Sequence, residues 1–149
     1  MLPLNPWEHQ SAVKALYAKC VESVCEKHHI TRMELDILLF LANNPRYDTA
    51  ADIIEIRYLS KSQVSASIKI LELEGYLQKN YAPGNRKTAH LAIREKASGI
   101  IADGRAAQEK FMAIMFREIP QEDIEIMKKC NARMLRNIYG YLKPGQGTL

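Results

Sequence analysis

Ser60-Lys-Ser-Gln-Val-Ser-Ala-Ser-Ile-Lys-Ile-Leu-Glu-Leu-Glu-Gly75 decides the reading of this chain. Ser60 followed three residues later by Gln63 is a capping box, in which the N-cap hydroxyl and the N3 side chain each bond the other residue's backbone N–H. Val64, Ile68 and Leu71 then recur at helical spacing, and Gly75 supplies the residue that closes a helix in the left-handed conformation. At 100° per residue, Ser62, Ser65, Ala66 and Lys69 fall on the arc opposite those apolar positions. Serine is a middling helix former, so Ser62, Ser65 and Ser67 in one short helix point to a requirement other than propensity.

The neighbouring segments extend this helix into a larger unit. Upstream, Thr49-Ala-Ala-Asp52 opens a helix only two turns long through Ile53, Ile54 and Ile56, and Arg57-Tyr58-Leu59 joins the two as a helix-turn-helix. Downstream, Tyr76–Tyr81 and Thr88–Ile93 alternate in polarity around Pro83-Gly84-Asn85, which is hairpin chemistry, and a hairpin after such a helix is a wing. Farther upstream, Thr31-Arg-Met-Glu34 is another capping box, with Ile30 and Leu35 at the staple positions. The helix it opens at Arg32 is apolar on nearly every side until Asn43-Asn44-Pro45 stops it, as expected of a centrally buried element.

The outer helices follow the same logic. Pro6-Trp7-Glu8 starts a first helix carrying Val13, Leu16, Tyr17, Cys20 and Val24 on one stripe. A long helix is expected from Glu95 to Glu118, and Pro120 starts a last one with Ile124, Met127, Leu135, Ile138 and Leu142 on one side. The predicted class is mainly α with a small β-hairpin wing. A winged helix-turn-helix core at about 31–94 is flanked by N- and C-terminal dimerisation helices at about 6–28 and 95–142, all in a single domain over 1–149. The outer stripes exceed what the core can cover, so Val13, Leu16, Ile124, Leu135 and Ile138 are expected at a homodimer interface.

Composition agrees with one globular domain: 149 residues, 47% apolar and 26% charged. Only the tail from Lys143 to Leu149 is expected to fray. Neither a signal-type N-terminus nor an apolar run long enough to span a bilayer is present, so a cytoplasmic location without membrane association is expected. Cys20, Cys25 and Cys130 are odd in number and lack C-x-x-C spacing, which supports neither a disulfide framework nor a zinc ribbon and leaves buried thiols as the simple reading. No nucleophile elbow, phosphate loop or H-E-x-x-H occurs, so no enzyme, cofactor or metal site is indicated.

The formal charge of +4 is concentrated. Between Lys61 and Lys96 stand seven cations (Lys61, Lys69, Lys79, Arg86, Lys87, Arg94, Lys96) against Glu72, Glu74 and Glu95, which equals the whole excess. With a helix-turn-helix and a wing, this implies double-stranded DNA as partner. Short side chains let the helix from Ser60 lie deep in a major groove, where Ser62, Ser65 and Ala66 meet bases, while Lys61 and Lys69 suit phosphates. Gln63 has two candidate uses, the capping box or the groove. At the hairpin tip Asn85, Arg86 and Lys87 face DNA, Arg86 being the candidate to enter a minor groove; a solvated loop arginine is the alternative.

In motif order, Ile30 to Ala97 resembles the MarR family of bacterial regulators. The similar pieces are Ile30-Thr31, Thr49-Ala-Ala-Asp-Ile-Ile54, Leu59-Ser-Lys-Ser-Gln-Val-Ser65, Leu71-Glu-Leu-Glu-Gly-Tyr-Leu77 and Tyr81-Ala-Pro-Gly-Asn-Arg-Lys87. The resemblance implies a homodimeric, ligand-responsive repressor of a palindromic operator, with an effector, often aromatic, that the sequence does not identify. There are departures: Asn85-Arg86-Lys87 stands where the family wing usually reads Asp-Arg-Arg, Arg94-Glu95-Lys96-Ala97 replaces Thr-x-Lys-Gly, and Tyr58 occupies a turn where Gly is frequent. Some relatives sense zinc or peroxide, but Cys25-Glu-Lys-His28-His29 has no second His-rich stretch, His9 and His90 are isolated, and Asn5 falls near the peroxidatic position. Met112, Met115, Met127 and Met134 suit either a ligand pocket or interface filling. A second function class is a winged-helix protein-interaction module, for which Ile70 and Leu73 on or near the outward side speak.

Overall fold

A computed structural model describes residues 5–143. The residues expected to fray lie, apart from Lys143, outside the described residues. The elements run α1 (Pro6–His28), α2 (Arg32–Asn43), α3 (Ala50–Arg57), α4 (Lys61–Leu73), β1 (Leu77–Tyr81), β2 (Ala89–Ile93), a 3₁₀ turn (Glu95–Ala97), α5 (Ser98–Met115) and α6 (Gln121–Leu142). They form two compact units, one reaching to Phe111 and one beginning at Met112.

The first unit is built around α2. Leu35, Ile37, Leu38, Leu39, Phe40 and Leu41 are all buried, and Val21 and Val24 of α1, Ile53 of α3, Val64, Ile68 and Leu71 of α4, Leu77 and Leu91 of the hairpin, and Ile100 of α5 close around them. Its start is the capping box read from the sequence: Thr31 Oγ1 accepts from Glu34 N–H at 3.1 Å and Glu34 Oε2 accepts from Thr31 N–H at 3.0 Å, which leaves a buried carboxylate satisfied. The same box closes at Thr49 and Asp52 of α3. The hairpin is antiparallel, with Leu77 opposite Ile93 and Tyr81 opposite Ala89. Asp48 extends it on the far side of β2, its carbonyl accepting from Leu91 N–H at 2.7 Å and its carboxylate meeting His90 Nδ1 at 2.8 Å.

Three expectations are corrected. The helix expected from Glu95 to Glu118 begins with a 3₁₀ turn and stays α-helical only from Ser98 to Met115; Glu118 takes a left-handed φ of 61° that ends it. Pro120 precedes α6 as its cap residue, because a ring-locked residue without an N–H suits the helix entry. Of the three cysteines only Cys20 is buried; Cys25 is half-buried and Cys130 exposed, because α6 buries none of its residues within this chain. Burial pushes the Cys25 thiol up despite nearby Arg32, which makes it a poor nucleophile.

Gly104 lets α5 approach α2. A Cβ there would stand 2.8 Å from Leu39 Cδ2, 3.0 Å from Cδ1 and 3.2 Å from Cγ, so the whole buried leucine would have to move. Overpacking of this kind costs about 1–3 kcal/mol, against about 1 kcal/mol gained from better helix propensity. Gly104→Ala is therefore expected to destabilise by about 1 kcal/mol net. Gly99→Ala, whose Cβ would only touch His28 Cε1 at 3.9 Å, should be neutral or stabilising. Urea unfolding at constant m-value checks both signs.

Candidate nucleic-acid interface

The helix-turn-helix is set by a non-glycine residue in a glycine conformation. Tyr58 has φ 51° and ψ 44°, donates its N–H to Ile54 O, and is followed by Leu59 N–H bonding the same carbonyl at 3.2 Å. The turn is thus made despite the missing glycine, at the cost of about 1 kcal/mol of left-handed strain. α4 ends in a double closure around Gly75 (φ 81°): Tyr76 N–H bonds Leu71 O at 2.8 Å and Gly75 N–H bonds Glu72 O at 3.1 Å.

At its N-terminus α4 departs from the other two capped helices. Ser60 Oγ accepts from Gln63 N–H at 3.2 Å, but the Gln63 side chain does not return to Ser60. Ser62 Oγ lies 2.9 Å from Ser60 Oγ, so the N-cap hydroxyl is paired with a second hydroxyl while the box stays open. Gln63 is exposed, and no hydrogen bond among the described residues involves its side-chain amide. Lys61, Ser62, Gln63, Ser65, Ala66 and Lys69 all lie exposed, while Val64, Ile68 and Leu71 are buried.

The wing carries the other candidates. Residues 81–88 are all exposed, with Asn85, Arg86 and Lys87 at the tip beyond Gly84 (φ 76°). Asn85 has a role that the sequence did not reveal: its Oδ1 accepts from Lys87 N–H at 3.0 Å and Thr88 N–H at 3.4 Å, bracing the turn as an aspartate would. The exchange of Asp for Asn therefore keeps the backbone geometry and removes only the charge.

Packing sorts the seven cations. Lys79 pairs with Glu72 at 3.3 Å, joining β1 to α4, and Lys96 donates to Glu74 O at 2.5 Å while sitting 4.8 Å over the Tyr76 ring. Both are employed in holding the hairpin to α4. The side chains of Lys61, Lys69, Arg86, Lys87 and Arg94 have no ion pair or hydrogen bond among the described residues, so their charge is available to an anion.

The other polar clusters are structural. Asp103 accepts from Lys27 at 2.8 Å and meets His28 Nε2 at 2.7 Å, and these partners hold its carboxyl below its ordinary range. His90 is taken up by Asp48. Among the described residues no group of three His, Cys, Asp or Glu side chains is disposed to hold a metal ion, and no helix is long and apolar enough to cross a membrane. Met112, Met127 and Met134 are exposed and Met115 half-buried. Val13, Leu16 and Ile124 are half-buried, whereas Leu135 and Ile138 remain 40% and 50% exposed.

Since the Asn85 side chain braces the wing, Asn85→Ala should raise amide hydrogen exchange at Lys87 and Thr88, with Asn85→Asp staying close to the parent. Equal protection in all three proteins would remove that role.

A family model described as the MarR family matches residues 28–87. No curated protein sequence matches the chain. Among solved structures, a putative MarR family transcriptional regulator from Listeria monocytogenes, complexed with 26mer DNA, is similar over 99% of each chain with TM-score 0.78 and 16% identity. The S. aureus MepR–DNA complex is similar over 91% of this chain and 96% of that one, with TM-score 0.72 and 15% identity. The transcription regulator MarR from Oenococcus oeni PSU-1 is similar over 85% and 95%, with TM-score 0.65 and 14% identity. At these identities the likenesses establish the fold, and the stretch that matches the MarR family model, residues 28–87, holds α2, the helix-turn-helix, β1 and the tip of the wing.

Proposed function

We propose that this chain is a transcriptional regulator that binds double-stranded DNA as a homodimer, without catalytic activity. The observation that carries the reading is the exposed, unpartnered set Lys61, Gln63, Ser65, Ala66 and Lys69 on α4 together with Arg86 and Lys87 on the wing, all in one compact unit. A helix with small outward side chains fits a major groove, and a free arginine at a hairpin tip fits the negative potential of a narrow minor groove. The Listeria and S. aureus relatives were solved with DNA, which supports the same ligand here.

The dimer rests on α6. None of its residues is buried, although Met127, Leu135, Ile138 and Leu142 repeat along one side at 40–56% exposure. Such a stripe is stable in water when another surface covers it, and a second copy is the simplest cover. Val13 and Leu16 of α1 and Ile124 of α6 belong to the same proposed interface. A two-fold axis places two recognition helices about 34 Å apart, which requires an inverted-repeat operator.

Effector-controlled repression is the finer part of the proposal. A cleft of about 210 Å³ lined by Tyr17, Asp36, Asn43, Arg57 and Gln108 among others joins α1, α2, α3 and α5 within the first unit. It is smaller than the roughly 300–1,000 Å³ of typical ligand pockets, which favours a compact effector. A protein-interaction module is the second reading, favoured by Leu73 and Ile70 at 77% and 46% exposure on α4.

Salt separates the two readings. DNA affinity should fall steeply from about 50 to 300 mM salt, and Arg86→Ala should weaken binding and reduce the log–log slope by about 1. Parent-like affinity and slope would return Arg86 to a solvated loop. Replacing Leu135 and Ile138 together by Asp should give monomers with little operator affinity; a parent protein that sediments as a monomer at micromolar concentration would overturn the dimer.

A further inference from the structure

The open capping box at α4 decides which side chains are free to read bases. Three outward positions have hydroxyls or charges with other uses: Ser62 is bonded to the Ser60 cap, and Lys61 and Lys69 carry flexible point charges suited to phosphates. What remains is Ser65, whose hydroxyl suits either kind of base edge, and on the other flank Gln63, Ala66 and Ile70, at i, i+3 and i+7, all exposed. α4 holds no arginine, asparagine or histidine. With Lys61 and Lys69 suited to phosphates, Gln63 is the side chain of α4 left to fix a base bidentately.

We propose that Gln63, Ala66 and Ile70 form the base-reading edge of α4 and that this edge selects adenine and thymine, so that the major-groove core of each half-site is A·T. The inference rests on the DNA-binding reading above. The primary amide of Gln63 donates to adenine N7 and accepts from its N6 amino group, the one base edge in the major groove that offers that pair to an amide. Had the box closed, this amide would be held on the Ser60 backbone. Ala66 lies about 4.5 Å farther along the helix axis, close to one base-pair step, and offers a methyl with no polar atom. The complement of such a group is the thymine C5-methyl. Ile70 continues the apolar flank toward a more distant thymine, which also accounts for a 46% exposed isoleucine on this surface. A cytosine amino group or guanine O6 placed against either apolar side chain would lose its hydration without a partner.

The test is selection of duplex DNA from a random pool at about 0.15 M salt with the full-length protein, followed by titration of the selected operator and of copies with uracil in place of single thymines. The expected core is A·T in each half-site. Gln63→Ala should lose the preference for adenine at one position by about tenfold, a value within the range of bidentate readout. Uracil should weaken the parent by about fourfold at a contacted thymine, the loss of one buried methyl-sized group. Ala66→Gly should be indifferent to uracil at the nearer thymine and Ile70→Ala at the farther one. All three positions are exposed, so the variants keep the fold, and circular dichroism checks this. A G·C core weakened selectively by Lys69→Ala, or an operator whose affinity ignores Gln63→Ala and uracil, overturns this inference while DNA binding stands. Enrichment of no sequence at all overturns it together with the specific-regulator reading.

Discussion

α2 has no wet face, and that constraint organises the first compact unit. With Leu35, Ile37, Leu38, Leu39, Phe40 and Leu41 all buried, the helix has to be covered on all sides, by α1, α4, α5 and the hairpin. Full burial of each such side chain contributes about 1.5–3 kcal/mol. The cover has consequences for the site: α4 must turn Val64, Ile68 and Leu71 inward, and a helix pinned on those three positions has no choice about what it shows to solvent. The exposed face that we assign to DNA is the remainder of a packing problem solved at α2.

Charge is arranged by the same packing. Two of the cations clustered in sequence tie β1 and the segment after β2 back to α4, through Glu72 and through the carbonyl of Glu74. Exposed pairs of this kind add little stability each, and the hairpin is anchored chiefly by the buried Leu77 and Leu91. The charges left free are those at the start and middle of α4, at the tip of the wing and at Arg94 after β2, all of them exposed. A polyanion approaching the unit therefore meets cations on α4 and on the wing, with Ser65 and Ala66 exposed between Lys61 and Lys69. A groove binder needs such an arrangement to position its reading face before contact with bases.

The second unit has a different problem. α6 is amphipathic without burying a residue, so its stability as a helix in this chain comes from propensity and from local pairs such as Gln121 and Lys128 with Glu125. Those partners also hold the Glu125 carboxyl below its usual range. A helix with an unburied apolar stripe is the expected half of an interface, and this is the physical ground on which the homodimer is proposed.

Much of this was legible in the amino-acid order, because capping, turn chemistry and hydrophobic period act over four or five residues. Thr31 with Glu34, Thr49 with Asp52, Gly75 after α4 and the Pro83-Gly84-Asn85 turn each name a local geometry, and the structure has all of them. The outward arc of α4 followed from the positions of Val64, Ile68 and Leu71 in the same way. Tertiary structure decided what local rules leave degenerate. Ser60-Lys-Ser-Gln63 is as good a capping box as the other two, yet only the folded chain shows the hydroxyl of Ser62 against that of Ser60 and Gln63 released. Lys79 and Lys96 look like free cations until β1 and the turn after β2 bring them to Glu72 and Glu74, and Asp48 is an ordinary loop residue until it meets His90. Sequence determines which conformations a short segment prefers, since those energies are local; which of its polar groups remain available depends on partners far along the chain, and only packing sets their distances.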